Sequence, residues 1–108
     1  MISKNYKKIA IINLYKDIDL YNGDGVEQTF QLNLSFKPSK IFVTIENICI
    51  SNENQGSFYV PNGENGMNYS FQIINFDKNS ITIKPKQWHV SGGTYFQDAT
   101  LKQVIAIE

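Results

Sequence analysis

The sequence predicts an all-β chain, an antiparallel β-sandwich of jelly-roll-like or immunoglobulin-like form with about seven to eight strands. Three observations predict it. Apolar residues recur with a period of two along most of the chain, clusters of Gly, Pro, Asn and Asp separate the alternating runs, and no ten-residue stretch carries a helical apolar stripe.

The clearest alternation is Val26, Gln28, Phe30, Leu32, Leu34 and Phe36 on one face, with Glu27, Thr29, Gln31, Asn33 and Ser35 on the other. That is the pattern of one half-buried strand. Ile41, Val43 and Ile45 then alternate with Phe42, Thr44 and Glu46, after which Ile48 and Ile50 carry the apolar positions. The change of phase predicts a bulge near Glu46-Asn47, where one strand bends. Further strands are predicted over residues 67–76, 80–88 and 101–107, with shorter ones at 9–15, 18–21 and 57–60. Between them lie Asn22-Gly23-Asp24-Gly25, Lys37-Pro38-Ser39, Pro61-Asn62-Gly63-Glu64-Asn65-Gly66, Asp77-Lys78-Asn79 and Ser91-Gly92-Gly93, turn chemistry that predicts antiparallel neighbours. Residues 97–99 admit a single helical turn. Pro85 removes a ladder donor from a good strand and points to a sheet edge or a bulge.

With 108 residues the chain has room for one domain, spanning 1–108, and for one core. Hydrophobic residues make up 42%, aromatics 13% and charged residues 19%, the balance of a chain that folds. Ten acidic residues offset ten basic ones, so no long-range field gathers nucleic acid or anionic lipid. Every basic residue is Lys, which removes the planar fork suited to phosphate and guanine and weighs further against nucleic acid. The apolar run at 9–14 is too short for a signal sequence or a membrane span, so no membrane insertion and cytoplasmic synthesis of an intact chain are expected. A single Cys closes no internal disulfide, and Cys49, between Ile48 and Ile50, is expected to be a buried small hydrophobe.

Chemistry-bearing residues are sparse. The one His, His89, stands in Trp88-His89-Val90 with no second imidazole, and no Ser, His and Asp set or pair of carboxylates is evident. The expectation is therefore no enzyme, no catalytic residue and no cofactor. Asp17, Asp19, Asp24 and Glu27 around Asn22-Gly23 form an acidic cluster of the kind that can offer oxygen to a hard cation, although the spacing misses the EF-hand pattern and a plain hairpin turn accounts for the same residues. Aromatic residues flank two loops: Phe58, Tyr59 and Tyr69 beside the Asn- and Gly-rich segment, and Trp88, Tyr95 and Phe96 beside Ser91-Gly92-Gly93-Thr94. Rings next to amides and carboxylates suit saccharides, whose apolar faces stack while their hydroxyls need paired donors and acceptors. Tyr59, Trp88 and Tyr95 are the candidate sugar contacts; the competing reading places such rings in the core or a subunit interface.

The order Asn22-Gly23-Asp24-Gly25, Gln28-Thr29-Phe30-Gln31-Leu32 and Phe36-Lys37-Pro38-Ser39-Lys40-Ile41-Phe42-Val43 resembles a recurring β module of bacteriophage virion proteins. The hairpin from Phe71-Gln72-Ile73 to Ile81-Thr82-Ile83, and the closing Tyr95 and Val104-Ile105-Ala106-Ile107, are similar to its later parts. The resemblance spans about residues 20–108 and consists of turns plus alternating apolar residues, which many sandwiches share. It implies a tail, fibre, baseplate or head-surface component of a phage or prophage, oligomeric, located in the virion after synthesis in the bacterial cytoplasm, and binding host-surface saccharide in some cases. It carries over no catalytic residue. The expected partners are copies of the chain itself and other virion proteins, because the Ile and aromatic content exceeds what one buried face per strand requires. The alternative is a carbohydrate-binding module.

Overall fold

Alternation between inward and outward side chains organises eight strands into two antiparallel sheets. The structure is a computed structural model that describes residues 7–62, 65–89 and 96–108, with backbone alone for 57–62, 65–67 and 89. The strands are β1 (Ile9–Asp19), β2 (Gln28–Gln31), β3 (Lys40–Ile45), β4 (Ile48–Ser51), β5 (Ser57–Asn62), β6 (Asn65–Phe76), β7 (Ser80–His89) and β8 (Asp98–Ile107). One sheet has the order β1-β8-β3-β4, the other β2-β7-β6-β5. The chain changes sheet between β1 and β2, between β2 and β3, between β4 and β5, and between β7 and β8. This is a sandwich: β1-β8-β3 opposed by β2-β7 wraps as a jelly roll does, while the hairpins β3-β4, β5-β6 and β6-β7 replace the rest of that pattern.

The core lies between the sheets. Ile18, Ile41, Val43, Ile45, Leu101, Val104 and Ala106 come from one layer, and Phe71, Ile73, Ile81 and Ile83 from the other. Burying each large side chain contributes roughly 1.5–3 kcal/mol.

The predicted long strand over residues 26–36 is corrected. Regular pairing with β7 stops at Gln31, and Asn33 has φ 57°, so the chain leaves the ladder while Leu32, Leu34 and Phe36 remain buried. The N–H groups of Leu32 and Leu34 donate to the carbonyls of Asn79 and Lys78, at 2.7 and 2.6 Å. Alternation therefore persists in a crossing segment that fills the core from between the sheets. Val26, expected to face inward, is 51% exposed because it stands in the loop before β2.

The predicted bulge at Glu46-Asn47 is a two-residue turn. Ile45 pairs with Ile48, and Glu46 takes φ 53°. Its N–H donates to the Thr100 carbonyl at 2.9 Å, and its carboxylate accepts the Thr100 N–H at 2.6 Å, which holds a conformation that costs a non-Gly residue energy. Register shifts stand just before that turn, between Thr44 and Ile45 against β8; between Ile73 and Asn75 against β7; and on β1, where Asn13 pairs with Gln103 and Lys16 with Leu101, so Leu14 and Tyr15 oppose Lys102, with Tyr15 at φ 50°. The strands predicted at 9–15 and 18–21 are thereby one bent strand. No helical turn stands at 97–99, since Asp98 and Ala99 already pair with Asp19 and Ile18.

Pro85 is neither at a sheet edge nor in a bulge. It sits on β7, between β2 and β6, opposite Phe71. The Phe71 N–H turns toward β5 and donates to the Gly56 carbonyl at 3.3 Å, so the position of the missing Pro85 donor faces the β2 side. There β2 has already ended at the Gln28–Ile83 pair, and only the Pro85 carbonyl is used, by the Gly25 N–H at 2.7 Å. The strand is interior but locally uncovered where the proline stands.

Candidate functional site

The outer wall of the first sheet carries a block of apolar side chains. Ala10, Ile12, Val104, Ala106, Ile41 and Val43 point to the core, so Ile9, Ile11, Ile105, Ile107 and Phe42 point outward. The register sets them side by side: Ile9 opposite Ile107, Ile11 opposite Ile105, and Ile105 opposite Phe42. Ile9 and Ile11 are 63% and 62% exposed, and the other three are half-buried against one another. Polar residues frame the block: Asn13, whose Oδ1 accepts from Gln103 Nε2 at 3.1 Å, and Lys40, which meets Glu53 at 3.4 Å. Cys49 lies on this same outward side, opposite Thr44 on the edge strand β4, and is exposed, which corrects the expectation of a buried thiol. Its neighbours Ile48 and Ile50 take the inward positions, so the thiol points away from the sheet that carries His89.

Two of the candidate saccharide residues, Tyr59 and Trp88, fall at one end of the second sheet. Trp88 pairs with Asn68, and Asn68 with Tyr59, so the three occupy one row across β7, β6 and β5. Trp88 is 39% exposed, because Tyr69, Phe71 and Gln87 take the inward positions and leave the alternate ones to solvent. Tyr95 lies outside the described residues, and of Tyr59 and His89 only the backbone is described.

The acidic residues are not gathered. Asp17 lies exposed on the outer side of β1. Asp19 Oδ1 accepts the Asn22 N–H at 3.0 Å, while Asp24 accepts the Gln87 N–H at 2.9 Å and meets Lys86 at 3.5 Å. Among the described residues no three His, Cys, Asp or Glu side chains converge on a metal position. The segment expected as a hairpin turn instead crosses from one sheet to the other.

What sequence reasoning missed is a set of side-chain amides that act as peptide units. Gln87, 3% exposed, donates from Nε2 to the carbonyls of Leu20 at 2.9 Å and Phe96 at 3.1 Å, and its Oε1 accepts the Phe96 N–H at 3.3 Å. Gln28 pairs in the same way with Asp19, at 2.8 and 2.9 Å, and Gln55 with Ile73, at 3.1 and 3.3 Å. Asn52 accepts from the Ile41 N–H at 3.0 Å and donates to the Ser39 carbonyl at 3.3 Å. Each amide completes a backbone donor and acceptor where a strand has no neighbour. A Gln at an alternation position that should be apolar, as Gln87 is between Pro85 and the loop, is the signal that could have found the first of them.

Depressions among the described residues include one of about 340 Å³ between the open edges of β1 and β2, lined by Leu14, Lys16, Thr29, Phe30 and Gln31, and one of about 320 Å³ lined by Gln55, Gly56, Ser70, Phe71 and Gln72. Neither gathers a set of reactive groups. Burial raises the Tyr69 hydroxyl above its usual range, and the Glu46 carboxylate raises it further. No protein-family model matches this chain, and no curated protein and no solved structure matches it.

Proposed function

We propose that this chain is a non-enzymatic assembly domain, a structural component of a phage or prophage virion that acts by self-association and by docking on other virion proteins. One observation carries the assembly reading. Ile9, Ile11, Ile105, Ile107 and Phe42 form a contiguous apolar block on the outer wall of a sheet whose other face already fills the core. Burial of such a block against a partner is favourable by about 25 cal/mol per Å² of apolar area covered, and an exposed apolar patch rimmed by polar residues is a mark of an interaction surface. The virion setting rests on the sequence resemblance. Sedimentation velocity over a wide concentration range is the test: the wild-type chain associates, and Ile105→Lys, which places a charge at the centre of the block, shifts it to monomer while leaving the fold intact. A chain that stays monomeric throughout contradicts the proposal.

The alternative is saccharide binding at the far end of the second sheet, favoured by the half-exposed Trp88 ring beside Asn68. Glycan-array binding that Trp88→Ala abolishes without lowering the thermal midpoint supports this reading; binding to no glycan removes it.

A further inference from the structure

The edge of β1 carries a more specific inference, which rests on the assembly reading and names its geometry. The Glu108 N–H donates to the Lys8 carbonyl at 2.9 Å, so Lys8, Ala10 and Ile12 direct their backbone groups toward β8. On the other side of β8 the Ile107 carbonyl accepts from the Ser39 N–H at 2.8 Å, which fixes the same alternation from that flank. The N–H and C=O groups of Ile9, Ile11 and Asn13 consequently point away from the sheet, along an edge with no neighbouring strand among the described residues.

Natural edges are blunted by Lys, Pro or a bulge. Here residues 9–13 contain no charge and no proline, and the blunting devices stand at the two ends, Lys7 and Lys8 before the stretch and the bulge at Leu14 and Tyr15 followed by Lys16 after it. The uncharged stretch offers nothing to attract a partner of either sign, and two copies of it do not repel. Stable interfaces bury roughly 800 Å² per partner, about 20–30 residues a side, and the outer block has five apolar side chains, so a second copy needs hydrogen bonds as well as apolar contact.

We propose that a second copy of this chain adds to β1 in antiparallel fashion about a two-fold axis at Ile11. Paired residues must share a face and both must present open-edge groups, and Ile11 opposite Ile11 of the copy, flanked by Ile9 opposite Asn13, meets both conditions. Ala10 then faces Ile12 on the inner side, continuing the core layer. The two four-stranded sheets become one, and the two outer apolar blocks merge into a platform across both subunits.

The test uses three variants. In a Cys49→Ser background, Ile11→Cys cross-links to itself under mild oxidation, because directly paired Cα atoms stand about 5.5 Å apart, within disulfide reach. Ile9→Cys, whose position faces Asn13 of the copy, cross-links at least tenfold more slowly. Ile11→Pro removes an open-edge donor and no ladder donor, so the thermal midpoint holds while association weakens at least tenfold. Association that persists in Ile11→Pro, with no preference for cross-linking at Ile11, overturns the edge geometry and leaves the assembly reading standing. A wild-type chain that is monomeric at every concentration overturns both.

Discussion

The side-chain amide of Gln87 and the main-chain amide of Phe96 bond to each other as two strands would, N–H to Oε1 at 3.3 Å and Nε2 to carbonyl at 3.1 Å. Between them they join β7 to the segment entering β8, and a further bond from Nε2 at 2.9 Å brings in Leu20 at the end of β1. Gln87→Leu keeps the volume and strands these backbone groups. A buried unpaired group costs about 1–3 kcal/mol, so chemical denaturation should show a loss of that order or somewhat more. Gln87→Glu keeps the acceptor but loses both donated bonds, and its loss should be at least as large at neutral pH.

Gly23 is required for space. A Cβ there would collide with the carbonyl of Asp19 and with Nε2 of Gln28, the two groups whose bond closes the crossing between the sheets. Gly23→Ala should cost about 1–3 kcal/mol through this overpacking. Gly25, at φ 74° with nothing near its missing Cβ, needs only a residue that tolerates positive φ, so Gly25→Asn should cost less than Gly23→Ala in the same denaturation series.

Tyr69 ties stability to alkaline pH. Burial, then the Glu46 carboxylate, raises its folded value above the ordinary 10.0, so the unfolded chain releases the proton first. The contribution is complete below about pH 10 and is lost as pH rises above it toward the folded value. The denaturation midpoint should fall over that range, and Tyr69→Phe should flatten the fall.

Asp77 acts in the opposite direction. The N–H groups of Asn79, at 2.7 Å, and Ser80, at 2.9 Å, hold its carboxylate below the ordinary 3.8, with a smaller contribution from Lys78. Its contribution is present above that ordinary value and is lost as pH falls through the folded one. Amide chemical shifts of Asn79 and Ser80 should therefore titrate below pH 4, and Asp77→Ala should abolish the titration.

The alternation made the sandwich and most of the core legible, since a period of two is enforced wherever one face is buried. It did not distinguish a turn from a bulge at Glu46-Asn47, because a two-residue turn and a one-residue insertion shift the phase of Ile45 and Ile48 identically. Nor did it reveal where β2 ends, because Leu32, Leu34 and Phe36 keep facing the core after the ladder has stopped. Pro85 misled because its donor position depends on where a partner strand ends, which is a fact of topology. For the candidate site, the surplus of Ile predicted an apolar outer surface, but its position on β1, β8 and β3 needed the cross-strand register. Of the amide braces only Gln87 left a mark, a polar residue at an inward position of the alternation; the partners that each amide joins are set by the topology.

The central claim is that the wall formed by β1 and β8 is where copies of this chain meet. The most direct measurement is methyl NMR of Ile9, Ile11 and Ile105 with a soluble paramagnetic agent, comparing dilute and concentrated protein. The account predicts that relaxation enhancement at Ile11 falls sharply as the chain associates, with Ile74, exposed on the other sheet, as an unchanged reference. Equal enhancement at Ile11 in both samples, while the protein demonstrably associates, would contradict it.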